Sequence, residues 1–360
     1  MSRVYNFSAG PATLPDTVLA QIRSEIPDWK KTGMSIMEVS HRSNEFMMVL
    51  EKTAQDLRDL LQIPEDYSIL FAQGGATLQF SMVPLNLAKE GEVADYALTG
   101  SWSRKAIAEA AKYCDVNVVA DSSDRNFTYV PEEATWKRNK KAAYLHYCAN
   151  ETIAGVEFPF IPDSGETPLV SDMSSTILSR PVEIRRFGVI YAGAQKNIGP
   201  AGLALIIVRK NLIGKSSSRV PNLLDYSVYE KTDSMSNTPP VFSLYVAGLV
   251  FEYLKDLGGL EVMGNKNRRK AEKLYKAIDR SSFYSNPVEE NCRSWTNVPF
   301  VLHDCSLDEY FIDAAARNGL VNLRGHRSVG GMRASIYNAM PESGVDVLIS
   351  FMQEFERTYG

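Results

Sequence analysis

Lys196 stands in the stretch YAGAQKNIGPAG, residues 191–202, between two apolar runs. The loop closes with Gly199, Pro200 and Gly202, and a second apolar run extends from Leu203 to Val208. A lone loop lysine is ordinarily a solvated surface charge. One held between two buried segments instead faces something inside the protein. Asp172, 24 residues earlier, ends the apolar run of PLVSDMSS. A carboxylate at the end of a buried strand needs a cation or a hydrogen-bond donor. Gly74-Gly75-Ala76-Thr77 follows the run YSILFA and opens a helical pattern. Two glycines let backbone amides approach an anion, and a helix start adds partial positive charge. The same four residues also suit an ordinary strand-to-helix turn. Trp102, in TGSWS, follows a third run, where an indole stacks on a flat ligand or packs in a core. Thr152, in NET, sets a hydroxyl after a fourth.

Each of these residues is unremarkable alone. Together, in this order and each after a strand, they match the needs of pyridoxal phosphate. That cofactor needs a cradle for its phosphate, an aromatic plate over its ring, an acid beside its pyridine nitrogen and a lysine for its aldehyde. The acid keeps the ring nitrogen protonated, and a lysine of lowered pKa bonds the aldehyde and carries protons. Nucleotide motifs do not fit. No G-x-G-x-x-G follows a strand, and although Gly188 and Gly193 have P-loop spacing, Ala194 and Gln195 stand where Lys and Ser/Thr are required.

The elements that must carry these residues alternate. Strand patterns at 67–72, 92–98, 116–120, 142–148, 168–174, 187–193 and 202–208 are interleaved with helical patterns at 76–88 and 101–114. Such alternation predicts a mostly parallel sheet covered by helices, with ligands at the carboxyl ends of the strands. After about residue 240 the pattern changes. Long helical stretches at 241–259 and 264–278 precede a strand-helix-strand-helix tail, and Gly258-Gly259 forms a helix stop. The expectation is a large domain over 16–257 and a smaller α+β domain built from 1–15 and 258–360.

Composition sets the class. The chain has 360 residues, 44% hydrophobic and 23% charged, with a net charge of −4. That balance fits a globular enzyme and argues against a nucleic-acid or membrane-surface role, which favours basic surfaces. The four cysteines show no C-x-x-C spacing, so neither a disulfide framework nor a metal site is expected. With no apolar signal core in MSRVYNFSAGPATLP, a cytoplasmic location is expected.

The motifs NFSAGPATLP, EVSHRS, TGSWS, NETIAGVEF, SDMSS, AGAQKNIGPAG, NTPPVF and GGMRASIYNAMP span nearly the whole chain. In this order they resemble the phosphoserine aminotransferases, a family of fold-type I pyridoxal-phosphate enzymes. The resemblance implies a large domain with a mostly parallel, seven-stranded-type sheet and a smaller α+β domain. It makes Lys196 the lysine that bonds the cofactor aldehyde and Asp172 the partner of the pyridine nitrogen. It places Trp102 on the ring, Thr152 at the phenolic oxygen, and Ala76, Thr77 and Gln195 at the phosphate. Asn237 and Thr238 would reach the phosphate bound in a neighbouring subunit, which implies a homodimer. Family members that carry an arginine at the position of Thr77 have one more cation for substrate, so the remaining His/Arg pairs are expected to do more here.

The sequence also bears on the substrate directly. HRS occurs twice, as His41-Arg42-Ser43 and His326-Arg327-Ser328, using two of only four histidines, and Arg324 and Arg333 flank the second copy. Guanidinium forks match phosphate and carboxylate geometry, so an acidic chain with two such loops is suited to anionic substrates. The resemblance assigns Arg333 to the substrate's α-carboxylate and His41, Arg42, His326 and Arg327 to its phosphate. The implied reaction interconverts O-phospho-L-serine and 2-oxoglutarate with 3-phosphohydroxypyruvate and L-glutamate, in serine biosynthesis. The alternatives are a cysteine desulfurase, a small-substrate aminotransferase or a non-catalytic pyridoxal-phosphate protein. A desulfurase needs a reactive thiol on a loop over the site. Cys114 at a helix end and Cys148 in a strand do not suit, and Cys292 would have to lie close to Lys196.

Overall fold

The computed structural model describes residues 3–360. Its centre is a seven-stranded sheet. In chain order the strands are β1 (Tyr67–Ala72), β2 (Val93–Leu98), β3 (Asp115–Asp121), β4 (Leu145–Cys148), β5 (Leu169–Asp172), β6 (Val189–Gly193) and β7 (Ala204–Arg209). They lie in the order β1-β7-β6-β5-β4-β2-β3. β7 runs antiparallel to both of its neighbours, and the remaining pairs are parallel. The link from β6 to β7 is too short for a crossover helix, so β7 has to return antiparallel. Six carboxyl ends therefore share one edge. Asp172 is the last residue of β5, and Lys196 lies three residues past the end of β6.

Alternation along the strands builds a core on each face. In β7, Leu205 and Ile207 face one cluster while Ala204, Ile206 and Val208 face the other. The first cluster is covered by helices Asn44–Leu61 and Val241–Asp256, the second by Gly75–Leu87 and Ser101–Ala110. β4, β5 and β6 are buried at every position, as central strands covered on both faces must be.

A third core, apart from the central sheet, gathers Phe7, Phe300, Phe311 and Phe355. It is built on the antiparallel strands Tyr284–Ser285, Asn297–Leu302 and Met332–Ser335, with helices Asp308–Arg317 and Glu342–Tyr359. The N-terminal segment joins this core through Tyr5–Asn6, which pairs in parallel with Leu320–Val321. Gly258 (φ 103°) and Gly259 (φ 80°) reverse the chain between helices Val241–Asp256 and Gly259–Asp279, in a backbone region that side chains disfavour. The separation of this core from the two on the central sheet motivates the proposal that the chain divides into 16–257 and 1–15 with 258–360. Residues 1 and 2 of that smaller unit lie outside the described residues.

Helices Asp16–Glu25 and Asn44–Leu61 were not anticipated from the sequence, although the second carries a start signal. The Ser43 hydroxyl accepts from the Phe46 amide at 3.2 Å, satisfying a donor that the helix leaves unpaired. The tail also holds more strands than expected, because Tyr284–Ser285 and Leu320–Val321 have only two residues each and give no periodic signal.

Lys270 joins helix Gly259–Asp279 to the turn after Met332–Ser335. Its ammonium donates to the carbonyls of Ile336, Tyr337 and Met340 at 3.0, 2.7 and 3.1 Å. Burial pushes its pKa down to about 7, opposed by the negative charge of Glu342. Lys270→Met fills the same space but leaves three buried acceptors without a donor. It is expected to lower unfolding stability by about 2–4 kcal/mol in urea denaturation, and unchanged stability would contradict this account of the turn.

Candidate active site

A cavity of about 510 Å³ opens at the carboxyl edge of the sheet. Lys196 enters from the β6–β7 loop, whose path is set by the hydrogen bond from the Gly199 amide to the Ala194 carbonyl at 2.7 Å. Its side chain is buried, and Nζ donates to Thr152 Oγ1 at 2.7 Å. Burial lowers the Lys196 pKa, and the negative charge of Asp172 works against that shift. Burial in turn raises the Asp172 carboxyl, opposed first by Lys196 and then by the hydrogen bonds from Ser174. Both of those bonds, from Ser174 N (2.9 Å) and Ser174 Oγ (2.6 Å), end on Oδ1, so Oδ2 is left for a further partner. The Ser174 hydroxyl also accepts from the Gly193 amide at 3.0 Å, tying the acid to the end of β6.

The phosphate cradle read from Gly74-Gly75-Ala76-Thr77 is the start of helix Gly75–Leu87. Gly74 (φ 83°) and Gly75 (φ 61°) turn the chain, and no side chain caps the first amides. Unsatisfied amides at a helix start suit an anion. Ala76, Thr77, Trp102, Thr152, Asp172, Gln195, Lys196, His326 and Arg333 all line the same cavity. Arg333 comes from strand Met332–Ser335, and its Nη1 donates to the Thr152 carbonyl at 3.3 Å while Nε is buried without a partner. A cluster of donors with one open helix start, one free carboxylate oxygen and one buried amine fits the polar groups of pyridoxal phosphate.

Four expected residues lie elsewhere in this chain, and a fifth lies beside the cavity without lining it. His41 and Arg42 precede helix Asn44–Leu61 and do not line the cavity; Arg42 is exposed, and His41 Nε2 is buried without a partner. Asn237 and Thr238 precede helix Val241–Asp256, with the Thr238 carbonyl accepting from Gln73 Nε2 at 2.8 Å. Arg327 is exposed next to His326, while Arg324 is engaged in an ion pair with Glu309.

Several residues that sequence reasoning passed over also shape the site. Ala9, Gly10 and Pro11 form one wall, held by the Ala12 amide on the Gln195 carbonyl at 2.9 Å. Asn150 and Glu151, both buried, immediately precede Thr152. Ser174, two residues beyond Asp172 in SDMSS, was legible as a neighbouring hydroxyl; the roles of Asn150 and Glu151 depend on partners distant in sequence. Cys148 lines the cavity, but burial raises its thiol pKa, the opposite of what a sulfur nucleophile needs. Cys292 is buried and does not line the cavity. Among the described residues no group of three or more His, Cys, Asp or Glu could hold a metal ion, and no helix is long and apolar enough to cross a membrane.

The electrostatic coupling is testable without any ligand. Asp172→Asn removes the charge that holds the Lys196 ammonium protonated, so the Lys196 pKa should fall further. Competitive labelling of amines across pH, read by peptide mass spectrometry, should place the Lys196 midpoint at lower pH in the variant than in the wild type. An unmoved or raised midpoint would contradict the coupling.

The family model described as Aminotransferase class-V matches residues 4–348. The chain is 58% identical over 358 residues, 99% of each chain, to the phosphoserine aminotransferase of Acidithiobacillus ferrooxidans. Its structure is similar to that of the phosphoserine aminotransferase from Bacillus circulans subsp. alkalophilus, with a TM-score of 0.98, 45% identity and 99% of each chain covered. A pyridoxal-phosphate-bound phosphoserine aminotransferase from Trichomonas vaginalis gives a TM-score of 0.93 at 41% identity, covering 98% of this chain and 100% of that one. With the family model covering almost its whole length, this chain belongs to the class-V aminotransferase family.

Proposed function

We propose that this chain is a pyridoxal-phosphate transaminase that exchanges the amino group between O-phospho-L-serine and 2-oxoglutarate, giving 3-phosphohydroxypyruvate and L-glutamate, as in serine biosynthesis. One observation carries the reading: a buried lysine, a buried acid with a free oxygen and an uncapped helix start meet in one cavity that Arg333 also lines. The full-length similarity to phosphoserine aminotransferases supports it.

Bound pyridoxal phosphate supplies an aldehyde that takes up an amino group and a ring that draws off the electron pair left when the Cα proton departs. Ala76, Thr77 and Gln195 would hold its phosphate. Asp172 Oδ2 would keep the ring nitrogen protonated, and a buried carboxylate fixed on its other oxygen is ready to do so without reorganising. Trp102 would cover the ring and Thr152 would meet the phenolic oxygen. Lys196 Nζ would take the Cα proton, and its lowered pKa leaves more neutral amine for that task. Arg333 would clamp the α-carboxylate.

The substrate's far end requires a dianion site. His326 and Arg327 supply part of it from this chain. We infer that His41 and Arg42, like Asn237 and Thr238, serve the site of a second copy in a homodimer. Met34 (45% exposed), Met37 (57%) and Met48 (67%) flank His41 and Arg42, and exposed methionines on one short segment suit a surface covered by a partner. Glutamate presents a carboxylate where phosphoserine presents phosphate, so one cationic pocket serves both. All four cysteines are free, which supports a reducing, cytoplasmic setting.

The purified protein reconstituted with pyridoxal phosphate should show a visible band that bleaches with L-phosphoserine and returns with 2-oxoglutarate. A band indifferent to phosphoserine but bleached by another amino donor would overturn the substrate assignment, and no band at all would overturn the cofactor. Thr77→Arg should lower the KM for phosphoserine by supplying a cation at the cradle; an unchanged KM would overturn the expectation that the pocket lacks a cation there.

A further inference from the structure

Glu151 is a fully buried carboxylate that the transamination scheme does not use. It sits between Asn150 and Thr152 on a two-residue strand, yet its side chain reaches the start of helix Ser101–Ala110. Oε2 accepts from the Trp102 amide at 2.9 Å, and Oε1 accepts from the Ser103 amide at 2.8 Å and the Ser103 hydroxyl at 2.7 Å. Ser103 Oγ in turn accepts from the amides of Thr99 and Gly100, both at 3.0 Å, closing the turn. The fit is tight: a Cβ on Gly100 would lie 2.3 Å from Glu151 Cδ, so no larger residue can stand there while Glu151 stays in place.

Two helix starts therefore face the same sheet edge with opposite treatment. The start of Gly75–Leu87 has no side-chain cap, whereas that of Ser101–Ala110 is filled by an internal anion. A phosphate approaching the filled start would meet the Glu151 charge instead of free amides. The same carboxylate fixes the backbone of Trp102 against the segment that carries Thr152. Desolvation pushes the Glu151 carboxyl up, and its hydrogen-bond donors draw it back down.

We propose that Glu151 is a positioning residue for the bound cofactor: by filling the start of helix Ser101–Ala110 it fixes Trp102 over the ring and directs the phosphate to the Gly74–Thr77 turn. This rests on the reading of the cavity as a pyridoxal-phosphate site. Glu151→Gln keeps the size but removes the charge and turns one acceptor oxygen into a donor that faces an amide. Glu151→Asp keeps the charge and withdraws it by one methylene.

The test titrates apoprotein with pyridoxal phosphate and records cofactor affinity, the visible circular dichroism per bound cofactor and the urea midpoint of the apoprotein. E151Q should weaken cofactor binding about 10-fold and at least halve the circular dichroism per bound cofactor, with E151D intermediate. In a Trp102→Ala background, which removes the ring but keeps the backbone amide, the E151Q change in circular dichroism should shrink, because the effect runs through the Trp102 side chain. A purely structural Glu151 would lower the urea midpoint while leaving the signal per bound cofactor at its wild-type value in E151Q and E151D, and that result would overturn the proposal. A wild type that binds no pyridoxal phosphate would instead remove the reading beneath it, and the proposal with it.

Discussion

An ammonium and a carboxylate buried at the carboxyl edge of a parallel sheet set the terms for everything around them. Neither Lys196 nor Asp172 is stable out of water alone, since burial pushes each toward its neutral form. Each moderates the other's shift, and the local hydrogen bonds do the rest: Thr152 accepts from the amine and Ser174 donates twice to the acid. The hydrophobic strands β4, β5 and β6 keep water away, so the two groups stay poised instead of solvated. That desolvation costs stability, and it is characteristic of sites where a perturbed amine is used in chemistry.

The tripeptide Asn150-Glu151-Thr152 carries this arrangement outward. Asn150 Nδ2 donates to Ser175 Oγ and to Asn297 Oδ1, both at 2.8 Å, linking the large sheet's edge to strand Asn297–Leu302. Glu151 holds the helix that bears Trp102, and Thr152 meets Lys196 through its hydroxyl and Arg333 through its carbonyl. A second link runs through Asn338, whose amide donates to Asn197 Oδ1 at 3.1 Å, next to Lys196 in sequence. The turn that holds Asn338 is the one fastened by Lys270. The central sheet and the smaller antiparallel sheet thus both have a hand in where the lysine sits.

Much of this was legible in the sequence, for reasons that differ by element. The strands were readable because they are short apolar runs bounded by turns, and their carboxyl ends are where ligands gather, which is why Asp172, Lys196, Trp102 and Thr152 fall together in one cavity. The alternation predicts a mostly parallel sheet, and the one antiparallel return, β7, follows from the short β6–β7 link. Helix Asn44–Leu61 shows its Ser43 cap only when its amphipathic face is sought. Glu151 was invisible as anything but a polar residue, because its partners lie 48 and 49 residues away and meet it only through the fold. His41 and Arg42 have the residue types that suit an anion, but that they lie outside this chain's cavity emerges only from the fold.

The claim on which the account turns is that Lys196, and no other of the chain's amines, takes the cofactor aldehyde. Borohydride reduction of the reconstituted enzyme fixes the cofactor to whatever amine it has met, and peptide mass spectrometry then names that residue. The account predicts the added mass on the peptide containing Lys196, one per chain, and its disappearance in Lys196→Ala. A cofactor mass found instead on another lysine, or retained in Lys196→Ala at the wild-type amount, would contradict it.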